Sequence, residues 1–158
     1  MSAPERFRLD GKVALVIAGT SGIGQAIDVG YREAGARVLV EGRTPAKLPA
    51  TDACLCDVRD LAALADMVAR VIADHGRTEW AGRGVRVNAI APGFVLTDLN
   101  REKMAPERKA LAVARRPMGR FGETDDMVGA AIYLASPAAQ FVTGETIRVD
   151  GGFLAAGL

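Results

Sequence analysis

Three observations predict a doubly wound α/β domain built on a parallel sheet. Apolar strand-length runs alternate with helical stretches along the whole chain. The first of these runs is almost continuously apolar, as in a strand covered on both faces. Glycine-rich turns stand where strands hand over to helices.

The elements follow in order. Residues 13–17 read VALVI, a β-rich run, and residues 22–34 have helical spacing that ends at Gly35, where a left-handed cap is usual. Residues 37–41 form a second strand and 53–56 a short third. The spacing of Leu61, Leu64, Met67, Val68 and Val71 predicts a helix over Leu61–Asp74 with one apolar stripe. A fourth strand is predicted at 85–89, a helix at 106–115, another at 124–136, and a last strand at 145–149. Thr124 followed by Asp125 and Asp126 is a helix-start signal.

Composition narrows the function classes. The chain has 158 residues, 49% of them hydrophobic, with 20 basic against 19 acidic side chains, so it fits one globular domain with a sizeable core and no excess charge for a polyanion. No nucleic-acid partner is expected. The apolar runs fall far short of the roughly 20 residues of a membrane span, and the polar start is unlike a signal peptide, so a cytoplasmic protein is expected. Cys54 and Cys56, two apart on a strand, have Cα atoms about 6.5 to 7 Å apart, too far for an easy disulfide. With His75 as the one imidazole, metal ligands are too few, and the cysteines read as small buried apolar residues.

The turn after the first strand, Ala18, Gly19, Thr20, Ser21, Gly22, Ile23, Gly24, directs backbone N–H groups and a helix amino end at one point, which suits a pyrophosphate. A tight turn without a ligand is the plainer alternative. At the end of the second strand stand Glu41, Gly42 and Arg43; an acidic residue there would hold ribose hydroxyls, whereas a basic one would accept a 2′-phosphate. Arg43 is otherwise a solvated loop residue. Asp57 and Val58 follow the third strand, where an Asp often serves only a turn. Later, residues 88–97 read N-A-I-A-P-G-F-V-L-T, and residues 117–152 run from PMGRFGETDD to RVDGG.

From Leu9 to Gly152 these motifs resemble the short-chain dehydrogenase/reductase family. The resemblance implies a Rossmann-like fold and a nicotinamide dinucleotide. In that register Ala18, Thr20, Ser21, Gly22 and Ile23 form the phosphate loop, with Ile17 and Ala18 in place of the family's Thr and first Gly. If φ is positive at 18, the Cβ costs about 1 kcal/mol or more. Gly42 in place of Asp, followed by Arg43, implies NADP(H) rather than NAD(H). Asp57 would receive the adenine amino group and Val58 cover the ring. Pro92 and Gly93 would line the nicotinamide, while the Val95 backbone and Thr97 bind its carboxamide.

One part of the family is missing. Between Gly76 and Val85 full-length members carry a strand ending N-N-A-G, a strand leading to a catalytic Ser, and a helix with Tyr-x-x-x-Lys, and none of these is in the sequence. This implies an internal deletion at Arg77 and Thr78 of roughly 90 residues, taking a full member as near the upper end of single-domain size. Two central strands go with it. The remaining strands could then close into a five-stranded sheet of order 3-2-1-4-5 with right-handed crossovers.

No residue is assigned a catalytic role. Four residues beyond Tyr31 is Gly35 and beyond Tyr133 is Pro137, so neither phenol has a lysine one turn away, and both read as packing residues. Ser21 and Ser136 lack a His and carboxylate set. The family implies an NADP(H)-dependent oxidoreductase acting on a carbonyl or alcohol, with this chain inactive; the alternative is a catalytically dead nucleotide- or partner-binding module. A homo-oligomer is expected, and the stretch 99–116 reads as an amphipathic flank of an unknown substrate site.

Overall fold

The computed structural model describes residues 1–50, 52–74, 85–101, 103–114 and 116–156. The proposed join at Arg77 and Thr78, with the Ala81 to Gly84 turn beside it, lies outside the described residues.

The elements are β1 (Val13–Val16), α1 (Gly22–Glu33), β2 (Arg37–Gly42), β3 (Ala53–Leu55), α2 (Leu61–Asp74), β4 (Ala89–Pro92), β5 (Val95–Leu96), α3 (Asp98–Arg101), α4 (Pro106–Ala114), β6 (Gly122–Glu123), α5 (Val128–Ala135) and β7 (Thr146–Val149). Every ladder among the described residues is parallel, with Val13 opposite Arg37, Val40 opposite Ala53, Ala89 opposite Thr146 and Val95 opposite Gly122. This is the α/β class that the apolar runs predict.

β2 lies between β1 and β3 and is buried on both faces except at Arg37. On one face Val38 and Val40 join Leu9, Val16 and Ala36 in the main core, and α1 closes it with Ile27 and Tyr31, together with Ala34 at its end. Gly35, just past the Ala34 cap of that helix, has the expected left-handed conformation, with φ +105°. Arg86 anchors the second half. Its guanidinium donates to the carbonyls of Leu134, Ala135, Ser136 and Val142, which places a cation at the carboxyl end of α5.

Four expectations need correction. The fourth strand runs over Ala89–Pro92 and not 85–89. Asn88 explains the shift, because its amide donates to the Val142 carbonyl (3.1 Å) and accepts from Glu145 N–H (3.0 Å), fixing the chain just before the ladder. Glu123, not Thr124, caps the helix start: it forms a capping box with Asp126, and Thr124–Met127 is a 3-10 turn ahead of α5. Leu61 is 76% exposed at the first position of α2 and leaves the apolar stripe, while Met67 is buried. Among the described residues the 3-2-1 and 4-5 pairings of the expected sheet are present, but no ladder joins the first strand to the fourth. The strands form a three-stranded sheet β1-β2-β3 and two-stranded sheets β4-β7 and β5-β6.

The halves meet instead through helices. A Cβ on Gly30 of α1 would come within 2.3 Å of Val128 Cγ1 at the start of α5, and the Tyr31 hydroxyl donates to the Ala131 carbonyl at 3.1 Å. Among the described residues no ladder joins β1 to β4.

Candidate functional site

The glycine-rich turn begins where β1 ends. Ala18 has φ +55°, the left-handed conformation that the motif reserves for glycine, so the departure read in the sequence carries strain. Its N–H donates to Glu41 Oε2 at 2.8 Å, and Gly19 N–H donates to the Glu41 carbonyl at 3.1 Å. Glu41 is only 2% exposed. Its carboxylate therefore lies beneath the turn and not among the groups that would face a 2′-phosphate. Sequence reasoning missed this role, though a charged residue within V-L-V-E-G was the signal.

Gly22 also has positive φ and opens α1. Ser21 is extended and makes no side-chain capping bond, so the amino end of the helix is not closed by its own cap. Ile23 is half-buried on the first turn. A Cβ on Gly24 would lie 2.3 Å from the Ala18 carbonyl oxygen, which is the close helix packing the motif implies.

At the carboxyl end of β2, a Cβ on Gly42 would stand 2.6 Å from Thr20 Cγ2, so the threonine occupies the space an acidic side chain would need. Arg43 is exposed. Asp57 is gripped by Arg59, whose Nη2 and Nε donate to it at 2.5 and 3.0 Å. The Arg59 bonds, with a smaller contribution from the Arg43 charge, hold the Asp57 carboxyl down at about 2. The structure thus joins Arg43 and Asp57 in one corner beside half-buried Val58, and adds Arg59 as a competitor that the sequence reading did not contain. Cys56 nearby is buried and Cys54 half-buried, with burial raising both thiol pKa values.

The second loop follows β4. Pro92 is its exposed last residue, and a Cβ on Gly93 would lie 2.7 Å from Asp150 Cα, so this glycine is required by the chain beyond β7 whatever else it touches. Val95 turns its side chain into the interior. Thr97 reaches the first loop: its Cγ2 is 3.3 Å from where a Gly22 Cβ would be. Two segments 75 residues apart in sequence are therefore brought together at the amino end of α1. Tyr31 and Tyr133 pack as expected, the first with its pKa raised by burial and the second with its ring tilted against Phe7. Ser136 is spent on the Tyr133 carbonyl and Ala138 N–H.

Comparison with known proteins gives this geometry a context. The family model described as enoyl-(acyl carrier protein) reductase matches residues 78–154. Galactitol 2-dehydrogenase (L-tagatose-forming) of Cereibacter sphaeroides is 51% identical over 76 residues, which are 48% of this chain and 30% of that protein. A solved structure assigned as an NAD(P)-dependent gluconate 5-dehydrogenase from Beutenbergia cavernae, with NADP at low occupancy, aligns at 29% identity and TM-score 0.76 over 95% of this chain and 99% of that one. The chain is similar to short-chain dehydrogenases/reductases, by family model and curated relatives over its second half and by fold over 95% of its length. A further member, a 7α-hydroxysteroid dehydrogenase solved with NADH and 7-oxo glycochenodeoxycholic acid, shares the fold at TM-score 0.82 and 21% identity. The stretch shared with such curated members is about 30% of their length. Among the described residues, no helix is long and apolar enough to cross a membrane, and no cluster of His, Cys, Asp and Glu is set to hold a metal.

Proposed function

We propose that this chain carries the dinucleotide half of an NADP(H)-dependent oxidoreductase acting on a carbonyl or alcohol, and that the 158-residue polypeptide binds the cofactor without turning it over. The observation that carries this reading is the approach of Thr97 to Gly22, which sets the second loop against the phosphate-binding turn. The residues fit the group: an uncapped helix end suits the pyrophosphate, and exposed Arg43 beside Asp57 suits a phosphorylated adenosine ribose. Thr97 and the Pro92–Gly93 turn would orient the nicotinamide, which supplies the hydride when bound. Proton transfer is the missing function, because neither tyrosine is placed for it. The family-model match beginning at residue 78 supports an internal deletion there. A cytoplasmic homo-oligomer is part of the same proposal.

Titration of NADPH and NADH fluorescence, followed by absorbance assays with a panel of ketones and alcohols, tests this reading. Saturable binding that favours NADPH, loses that preference in R43A and shows no turnover is expected. Steady oxidation of NADPH by this polypeptide, or no binding of either cofactor, would overturn it.

A further inference from the structure

Asp57 stands in the corner proposed for the adenosine end of the dinucleotide, and its carboxylate is not free there. Three N–H donors of Arg59 converge on it. The backbone N–H reaches Oδ1 at 3.1 Å, Nε is shared between Oδ1 and Oδ2 at 3.0 and 3.1 Å, and Nη2 reaches Oδ2 at 2.5 Å. Each oxygen thus has two N–H contacts, so a carboxylate with about four acceptor sites has little left for an adenine amino group. Adenine gains this acceptor when the guanidinium leaves it.

Leaving is easy. The Arg59 side chain is 76% exposed, and an ion pair at the surface is weak because water screens both charges. The displaced cation then needs an anion. Asp60 is committed to the N–H groups of Ala62 and Ala63 at the start of α2. Gly42 lies opposite Leu55 in the parallel β2–β3 ladder, and Cys56 N–H donates to the Gly42 carbonyl at 3.3 Å, so Arg43 and Asp57 leave neighbouring strands at the same end. The Arg43 charge adds to that of Arg59 in lowering the Asp57 carboxyl. Two guanidinium groups therefore share one carboxylate in this corner.

We infer that Arg59 is a specificity-determining residue that exchanges one anion for another when cofactor binds: it releases Asp57 to the adenine amino group and takes the 2′-phosphate beside Arg43. NADPH replaces the broken pair with a phosphate pair, whereas NADH breaks it and offers nothing in return. The preference for NADPH is set in part by what Arg59 loses to the other cofactor. Resting on the NADP(H) reading of this corner, the exchange adds a second cation to it and a cost against NADH.

Fluorescence titrations of NADPH and NADH into wild type, R59A and R43A test the exchange. R59A removes only the guanidinium. The bonds from the residue 59 N–H to Asp57 and from Asp60 N–H to the Asp57 carbonyl, the latter at 2.9 Å, have backbone donors that alanine keeps, so the turn is retained. In R59A, NADH binding is expected to tighten about twofold to fivefold because the exposed pair no longer has to break, and NADPH binding to weaken about threefold or more through the lost charge-assisted bonds. A general disturbance of the fold would move both cofactors in the same direction. An NADPH preference unchanged in R59A, or NADH binding that does not tighten, overturns the exchange; if R43A still lowers the preference, the NADP(H) reading stands without it. Failure of wild type to bind either cofactor would overturn both.

Discussion

Ala18 adopts φ +55° because the turn on either side of it is fixed, by the Glu41 hydrogen bonds before α1 and by the Gly24 packing within it. The exchange A18G removes a left-handed Cβ at the cost of some unfolded-state freedom, and a net gain of about 1 kcal/mol is expected in urea unfolding, together with tighter NADPH binding. A loss of stability would show that the turn relaxes elsewhere. The strain itself was legible in the sequence, since aligning Gly22, Ile23 and Gly24 puts an alanine on a glycine position. The Glu41 and Arg59 contacts were not, because the direction a charged side chain takes depends on neighbours that only the folded chain supplies.

The start of α5 shows how much an element's end depends on charge. Asp126 accepts from Arg120 at 2.6 and 2.9 Å and from Glu123 N–H at 2.8 Å, and these bonds, the arginine first, hold its carboxyl at about 2. The folded value is below the unfolded value of 3.8, so the group stabilises the fold above pH 3.8 and loses that contribution as pH falls through about 2. The difference in urea midpoint between wild type and D126N is therefore expected to be largest near neutral pH and to vanish toward pH 2; a constant difference would refute the assignment. Helix α2 was read to its observed ends from one apolar stripe. The fourth strand was misplaced by four residues because V-R-V and A-I-A-P are equally strand-like, and the choice rests on the Asn88 bonds to the chain before β7.

For the molecule as a whole, fold class and parallel pairing follow from the alternation of elements. Order 3-2-1 for the first half and the 4-5 pair, seen as β4 with β7, were readable; among the described residues no ladder joins the first strand to the fourth. The contact between α1 and α5 sits at Gly30 and Val128, where a methyl group would intrude to 2.3 Å. G30A is expected to cost about 1 to 3 kcal/mol by overpacking and to weaken NADPH binding in parallel, with V128A restoring both. Unfolding curves and fluorescence titrations of the three variants check this, and recovery of stability without recovery of binding would disconnect the two.

The Gly30 contact is where α1 meets the start of α5. In a continuous sheet, the distance between two ligand-gripping loops is spread over many ladder bonds and no single residue adjusts it. Here the glycine turn rides on the front of α1 and Thr97 belongs to the other half. A roll of one helix against the other would therefore alter the Gly22–Thr97 approach at the far end, as with the arms of a pair of tongs.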